Sequence, residues 1–175
     1  MSKKPNISGG GSNTNLNGLS FEDRTCLIEA FKAHEQIDVN EKNQIIFNGE
    51  NIGFYTEKHN FYKDFLKPFG INYKEIISKK LLPDSVFVNT KNKTVYVIEK
   101  KFQKSEGSVD EKLQTGPYKK RMFVKLCAGT EYNVEYYYLL NEWYSKDSYR
   151  DVKDYLRESG CRYYTNTIPL YALGV

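Results

Sequence analysis

Residues 81–121 read LLPDSVFVNTKNKTVYVIEKKFQKSEGSVDEKLQTGPYKKR, and the first half of this stretch decides the fold. Side chains of a β-strand alternate between faces. Asp84, Val86 and Val88 therefore share one face of a first strand, and Val95, Val97, Glu99 and Lys101 share one face of a second. Ser85, Phe87, Ile98 and Lys100 face the other way. The polar run Thr90-Lys91-Asn92-Lys93 between them predicts an antiparallel hairpin. Closed symmetrically about that turn, the hairpin pairs Asn89 with Thr94, Val88 with Val95, Val86 with Val97, and Asp84 with Glu99.

Two carboxylates placed opposite each other repel and need a compensating charge. A divalent cation supplies one. Hard oxygen donors suit Mg²⁺, which takes one or two carboxylates from a protein and fills its other positions with water and phosphate. Lys101 lies one step beyond Glu99 on the same face, where an ammonium can hold a water or offset charge on a phosphate. Taken alone, a Pro-Asp followed by Glu-x-Lys is also what a solvated hairpin end looks like. The apolar ladder leading to the two acids and the basic segment after them favour a site.

That segment carries a start signal for a helix: Ser108 with Glu111 at the third position makes a capping box, with Gly107 before it. Leu113, Met122, Phe123 and Leu126 supply apolar contacts, and Gln114 and Tyr118 fall one turn apart on a common face. Gly116-Pro117 is expected to kink the helix. Lys112, Lys119, Lys120 and Arg121 make it basic, as a solvated helix face or as contacts to phosphate.

Pro83-Asp84, Glu99-Lys100-Lys101 and the run Gly107–Thr115 resemble the PD-(D/E)XK nuclease superfamily, in particular its type II restriction endonucleases. Residues 10–22, GGSNTNLNGLSFE, look like the opening of several such enzymes. The resemblance implies an α/β fold with a restriction-endonuclease-like core, a mixed central β-sheet flanked by helices. The core would span about residues 18–140 of a single domain, 18–175. It implies that Asp84 and Glu99 hold Mg²⁺, that Lys101 serves the attacking water, and that Glu22 is an auxiliary acid. Gln114 and Tyr118 are similar to a helix motif lining the active site in some branches, and Tyr118 joins Lys112, Lys119, Lys120 and Arg121 as a candidate contact to DNA phosphate. Read from spacing alone, Glu22 is a first-turn carboxylate favoured by a helix dipole.

The activity implied is sequence-specific hydrolysis of double-stranded DNA to 5′-phosphate and 3′-hydroxyl ends. A homodimer is expected, each subunit cutting one strand, with a subunit of a heterodimer as the variant. A structure-selective repair or junction nuclease, and a DNA-binding subunit that keeps the fold without catalysis, are the alternatives.

Composition agrees. The 175 residues carry 26 Lys and Arg against 22 Asp and Glu, a net charge of +4, with basic residues concentrated around 91–125. The 3 cysteines, Cys26, Cys127 and Cys161, are far apart and form no Cys-x-x-Cys pair, which favours a reducing interior. His34 and His59 belong to no ligand cluster, so neither zinc nor histidine-dependent nucleophilic catalysis is expected. No apolar run approaches the roughly 20 residues of a membrane span, and MSKKPNISGGGSN lacks the apolar stretch of a signal peptide. The protein is thus expected to be soluble and intracellular, and the restriction-enzyme resemblance implies the cytoplasm of a prokaryotic cell.

Along the rest of the chain, residues 1–17 read as a flexible arm. Ser20 caps a helix through about His34, with Phe21, Leu27, Ile28 and Phe31 facing a core. A hairpin is predicted at 44–47 and 52–55, and short helices at 57–65 and 73–81. A strand over 132–140, a helix over 145–157, and strand pieces at 162–165 and 170–173 complete the reading, with most of the 15 tyrosines as packing. Asn141, Lys146 and Arg150 are candidates for reading bases.

Overall fold

The computed structural model describes residues 18–22, 24–105 and 110–175. The expected arm at 1–17 and the Gly107-Ser108 helix start lie outside these residues.

Strands β5 (Ser85–Asn89) and β6 (Thr94–Lys101) form the antiparallel hairpin, in the register read from the sequence: Val86 opposite Val97, Val88 opposite Val95, Asn89 opposite Thr94. Its turn is organised by Asn89. The buried side chain accepts from the N–H groups of Lys91 and Asn92 at 2.9 and 3.2 Å and donates to the carbonyl of Leu173 at 3.0 Å. A buried amide with partners on both ends costs little and fixes the chain direction.

The hairpin is the middle of a seven-stranded sheet. Ahead of it come β2 (Ile37–Val39), β3 (Gln44–Phe47) and β4 (Glu50–Thr56), paired in sequence order and antiparallel. Asn48 and Gly49, both at positive φ, turn β3 into β4 as the sequence predicts, whereas β2 was not anticipated. Gly53 sits at a bulge in β4, and a side chain there would meet the Val88 carbonyl at 1.9 Å, so only glycine lets β4 close on β5. After it come β7 (Asn133–Leu140) and β8 (Arg162–Thr165), both parallel to β6. β6 is thus an interior strand covered on both faces, which explains its unbroken apolar run.

Helices cover both faces. On one pack α2 (Lys58–Asn60, continuing as a wider π-helical turn over Phe61–Leu66), α4 (Gly116–Cys127) and α5 (Arg150–Glu158), against Val86, Val88, Val95, Val97, Tyr136 and Tyr138. The short α3 (Asp110–Leu113) precedes α4. On the other face, α1 (Leu27–Lys32) and a two-stranded sheet of β1 (Gly18–Ser20) and β9 (Thr167–Pro169) pack on Phe87, Tyr96, Ile98, Tyr137 and Leu139. The expected α/β architecture, a mixed sheet flanked by helices, is present.

Several local expectations are corrected. Ser20 does not cap a helix, because Gly18, Leu19 and Ser20 pair with Pro169, Ile168 and Thr167, and α1 begins only after Cys26. The helix expected over 73–81 is a single turn, Tyr73–Glu75. Residues 170–173 form a 3₁₀ turn rather than a strand, and α5 starts at Arg150 after two such turns. Gly116-Pro117 does not kink one helix. It opens a new one, with proline in the first turn, where its missing N–H is not needed.

Candidate active site

The hairpin register brings the expected acids together. One step beyond the Ser85–Ile98 pair, Asp84 comes alongside Glu99 at the open end of β5 and β6. Lys101 lies between them, its Nζ 2.7 Å from Glu99 Oε1 and 3.9 Å from Asp84 Oδ2. Glu99 is buried, with only 8% exposed, because β7 lies parallel beside β6 and α4 crosses above it.

Two further groups complete the cluster, and neither was assigned to it from the sequence. Lys119, on α4, sets its Nζ 2.7 and 2.8 Å from the two oxygens of Glu99. Tyr136, fully buried on β7, donates its hydroxyl to Glu99 Oε2. Their approach depends on Gly116. A side chain at that position would lie 2.6 Å from the Tyr138 ring, so glycine lets the first turn of α4 rest on β7 and bring Lys119 over the strand. Lys119 was read as a phosphate contact. The signal for its actual place was its spacing, since 116, 119, 123 and 126 fall on one helix face and the other three are buried.

The electrostatics of the two acids differ. Burial alone would raise the Glu99 carboxyl, but hydrogen bonds from Lys101, Lys119 and Tyr136 outweigh it and hold the group below its ordinary value. Asp84 moves up: desolvation raises it and the nearby Glu99 adds to that, with Lys101 and Lys119 offsetting only part. Burial and the adjacent Glu99 push the Tyr136 phenol well above its ordinary value, so it stays a donor.

The other expected residues stand elsewhere. Glu22 is not on the first helix. It lies exposed between β1 and α1, and Lys100, on the opposite face of β6 from Glu99, reaches its carbonyl at 2.8 Å. Gln114 and Tyr118 are exposed and do not share a helix, since Gln114 lies in the turn after α3 and Tyr118 in the first turn of α4. Gln114 instead lines a shallow cleft with Asp151 and Tyr155. Lys112 is exposed and its carbonyl accepts from the Tyr138 hydroxyl at 3.1 Å. Lys120 donates to the Gly160 carbonyl at the end of α5, and Arg121 is exposed. Asn141 is tied to the backbone of Gln103, Lys146 lies over the Trp143 ring, and Arg150 pairs with Asp151.

Residues 28–128 match the family model of the PD-(D/E)XK nuclease superfamily domain. The chain belongs to the PD-(D/E)XK nuclease superfamily. No curated protein and no solved structure matches it. Members of this superfamily are phosphodiester hydrolases, and the match spans the hairpin, both acids, Lys101 and α4. Such nucleases typically use divalent metals, and the donor set accommodates one. Asp84 and Glu99 offer hard oxygens, and the ammonium of Lys101 marks a place between them where positive charge is already stabilised. Among the described residues no group of three or more His, Cys, Asp or Glu converges, so Asp84 and Glu99 are the two carboxylates that would be offered to a cation here. Also among them, no helix is long and apolar enough to cross a membrane.

Proposed function

We propose that this nuclease is a Mg²⁺-dependent, site-specific DNA endonuclease of the type II restriction class, acting in the cytoplasm of a prokaryotic cell. The observation that carries this reading is the meeting of Asp84, Glu99 and Lys101 at the end of one hairpin, in reach of a single ammonium. Asp84 and Glu99 would hold the cation, which when bound supplies Lewis-acid polarisation of the scissile phosphate and an acidified water. Lys101 orients the attacking water and offsets charge that grows on the phosphate. Lys119 and Tyr136 keep the Glu99 carboxylate ionised and fixed in direction, which holds one ligand ready without reorganisation. Exposed Lys112 and Arg121 add positive charge for the DNA backbone.

Attack in line on the phosphorus expels the 3′ oxygen, leaving a 5′-phosphate and a 3′-hydroxyl. Two antiparallel strands are related by a two-fold axis, so a C2 homodimer suits cleavage of a duplex. Supercoiled plasmid incubated with the purified chain and Mg²⁺ is expected to give discrete fragments, and none in EDTA. A smear, structure-dependent nicks, or binding without cutting each reject the site-specific reading.

A further inference from the structure

Asp84 borders a second space that the catalytic cluster does not use. The cluster faces α4. Around the end of the sheet, from the face that carries α1 to the start of α2, a cleft of about 280 Å³ opens beside the same aspartate. That size lies just below the range for ligand clefts, roughly 300–1,000 Å³, so it suits one compact ligand.

The lining has a definite chemistry. Phe21, Leu27, Ile98 and Leu139 form an apolar floor. Arg24, Lys58 and Lys100 supply cations around it. Lys100 is a fixed charge, its Nζ anchored 2.8 and 2.9 Å from the carbonyls of Glu22 and Thr25. Lys58 is held by its own N–H, which donates to the Pro83 carbonyl at 2.8 Å, directly before Asp84 in the chain. Against these stand two carboxylates, Asp84 and Glu57, and Glu57 is already engaged by the Tyr55 hydroxyl at 2.7 Å. An apolar floor with a cationic rim suits a flat ring carrying an anionic group.

We infer that this cleft takes a single unpaired nucleotide of the strand being cut, its base on the apolar floor and its phosphate toward Arg24 and Lys58. The inference rests on the nuclease reading for the source of that nucleotide, and deepens it. A base still paired in a duplex cannot enter a space of this size beneath α1, so the nucleotide is extruded or already single-stranded when bound. The two spaces beside Asp84 then divide the work, with the scissile phosphate toward Lys119 and its neighbour toward Lys58.

The cleft contains its own reporter. Cys26 lines it and is partly exposed, whereas Cys127 and Cys161 are buried. Alkylation of the full chain by iodoacetamide in EDTA, followed by peptide mass spectrometry, therefore reads occupancy without any cleavage. Thymidine 5′-monophosphate is expected to slow Cys26 alkylation severalfold, inorganic phosphate or thymidine alone far less, and a short single-stranded oligonucleotide to protect at lower concentration than a blunt duplex. Arg24→Ala and Lys58→Asn should each raise the concentration needed by about tenfold, the loss of one contact near 1.4 kcal/mol. Asparagine is chosen because Lys58 has φ +45°, a conformation asparagine tolerates. Lys91→Ala, at the far end of the hairpin, should change nothing. Calorimetric titration of thymidine 5′-monophosphate into the same proteins reads binding independently of the thiol.

No heat and no protection, equal affinity in Lys58→Asn, or equal protection by phosphate alone each overturn the inference. Protection by the nucleotide in a protein that never cuts plasmid would leave the cleft standing and remove the nuclease assignment. Cutting without protection would do the reverse.

Discussion

Lys119 Nζ lies 2.7 Å from one oxygen of Glu99 and 2.8 Å from the other, joining helix α4 to the interior strand β6. A second ammonium, that of Lys101, touches the same carboxylate. One buried acid thus holds two cations while its neighbour Asp84 has its nearest ammonium at 3.9 Å. Under the proposed function, Lys101 and Lys119 would share with a bound dication the compensation of these two carboxylates.

Lys119→Met tests that sharing. Losing one of several partners of a buried carboxylate costs about 1–3 kcal/mol, and because Lys119 is 30% exposed the lower end is expected. Mg²⁺ should remove much of this cost by taking over the compensation of Glu99. Urea unfolding of parent and variant, in EDTA and in millimolar Mg²⁺, reads both. An equal loss in the two conditions would mean that the ammonium and the metal are not interchangeable at Glu99.

Lys101 has the stronger claim on chemistry, since it reaches both acids. Lys101→Ala is expected to lower the cleavage rate by about 10²–10⁴-fold, the usual range for a positioned proton-transfer group. DNA affinity should stay within about tenfold, or 1.4 kcal/mol, because one ammonium among many cations is lost. Single-turnover cleavage beside a gel-shift titration separates the two effects. Cleavage at the parental rate would remove Lys101 from the mechanism.

What could be read from the sequence follows from the range of each interaction. The β5–β6 hairpin is local, so alternation and one short turn suffice to align Val86 with Val97 and carry Asp84 to Glu99. The pairing of Ser20 with Thr167 is not local. Nothing near Ser20 announces a partner at the other end of the chain, so its capping preference pointed to a helix that tertiary pairing overrides. Lys119 was missed for a subtler reason. Its spacing from Phe123 and Leu126 sets it on the inner face of α4, but that this face rests on β7 over Glu99 depends on the long-range contact of Gly116 with Tyr138. The family match supports the nuclease core but says nothing about which lysines it employs.

Gly116 decides how close α4 can come. Added bulk there would meet the Tyr138 ring at 2.6 Å, and that ring is fully buried, with its hydroxyl bound to the Lys112 carbonyl. Gly116→Ala is expected to cost about 1–3 kcal/mol as overpacking, against the gain that alanine normally brings to a helix. Lifting the helix also draws Lys119 away from Glu99. The variant should therefore lose both melting temperature and cleavage rate, and a melting temperature at or above the parent would show that α4 is not held by this contact.

Tyr136→Phe links the cluster to pH. Glu99 is held below its ordinary value of 4.5 in the folded protein, so its contribution to stability is fully present above that value and fades as pH falls through the lowered one. Removing the Tyr136 hydroxyl deletes one of the donors that outweigh burial. The Glu99 carboxyl then moves up toward its ordinary value, so the stability that its ionisation contributes above 4.5 is smaller and less of it is left to lose in acid. Asp84 has the opposite sign: it is raised from 3.8, favours its proton in the fold, and costs stability as pH climbs through the interval above that value. The two effects separate because, of the two acids, it is Glu99 that accepts from the Tyr136 hydroxyl. Urea midpoints measured from pH 3 to 7 should show the difference between Tyr136→Phe and parent at its full size, about 1 kcal/mol for the lost hydrogen bond, at neutral pH and shrinking on the acid side as Glu99 takes up its proton in both proteins. A difference that stays constant across this range would place the tyrosine outside the ionisation of Glu99.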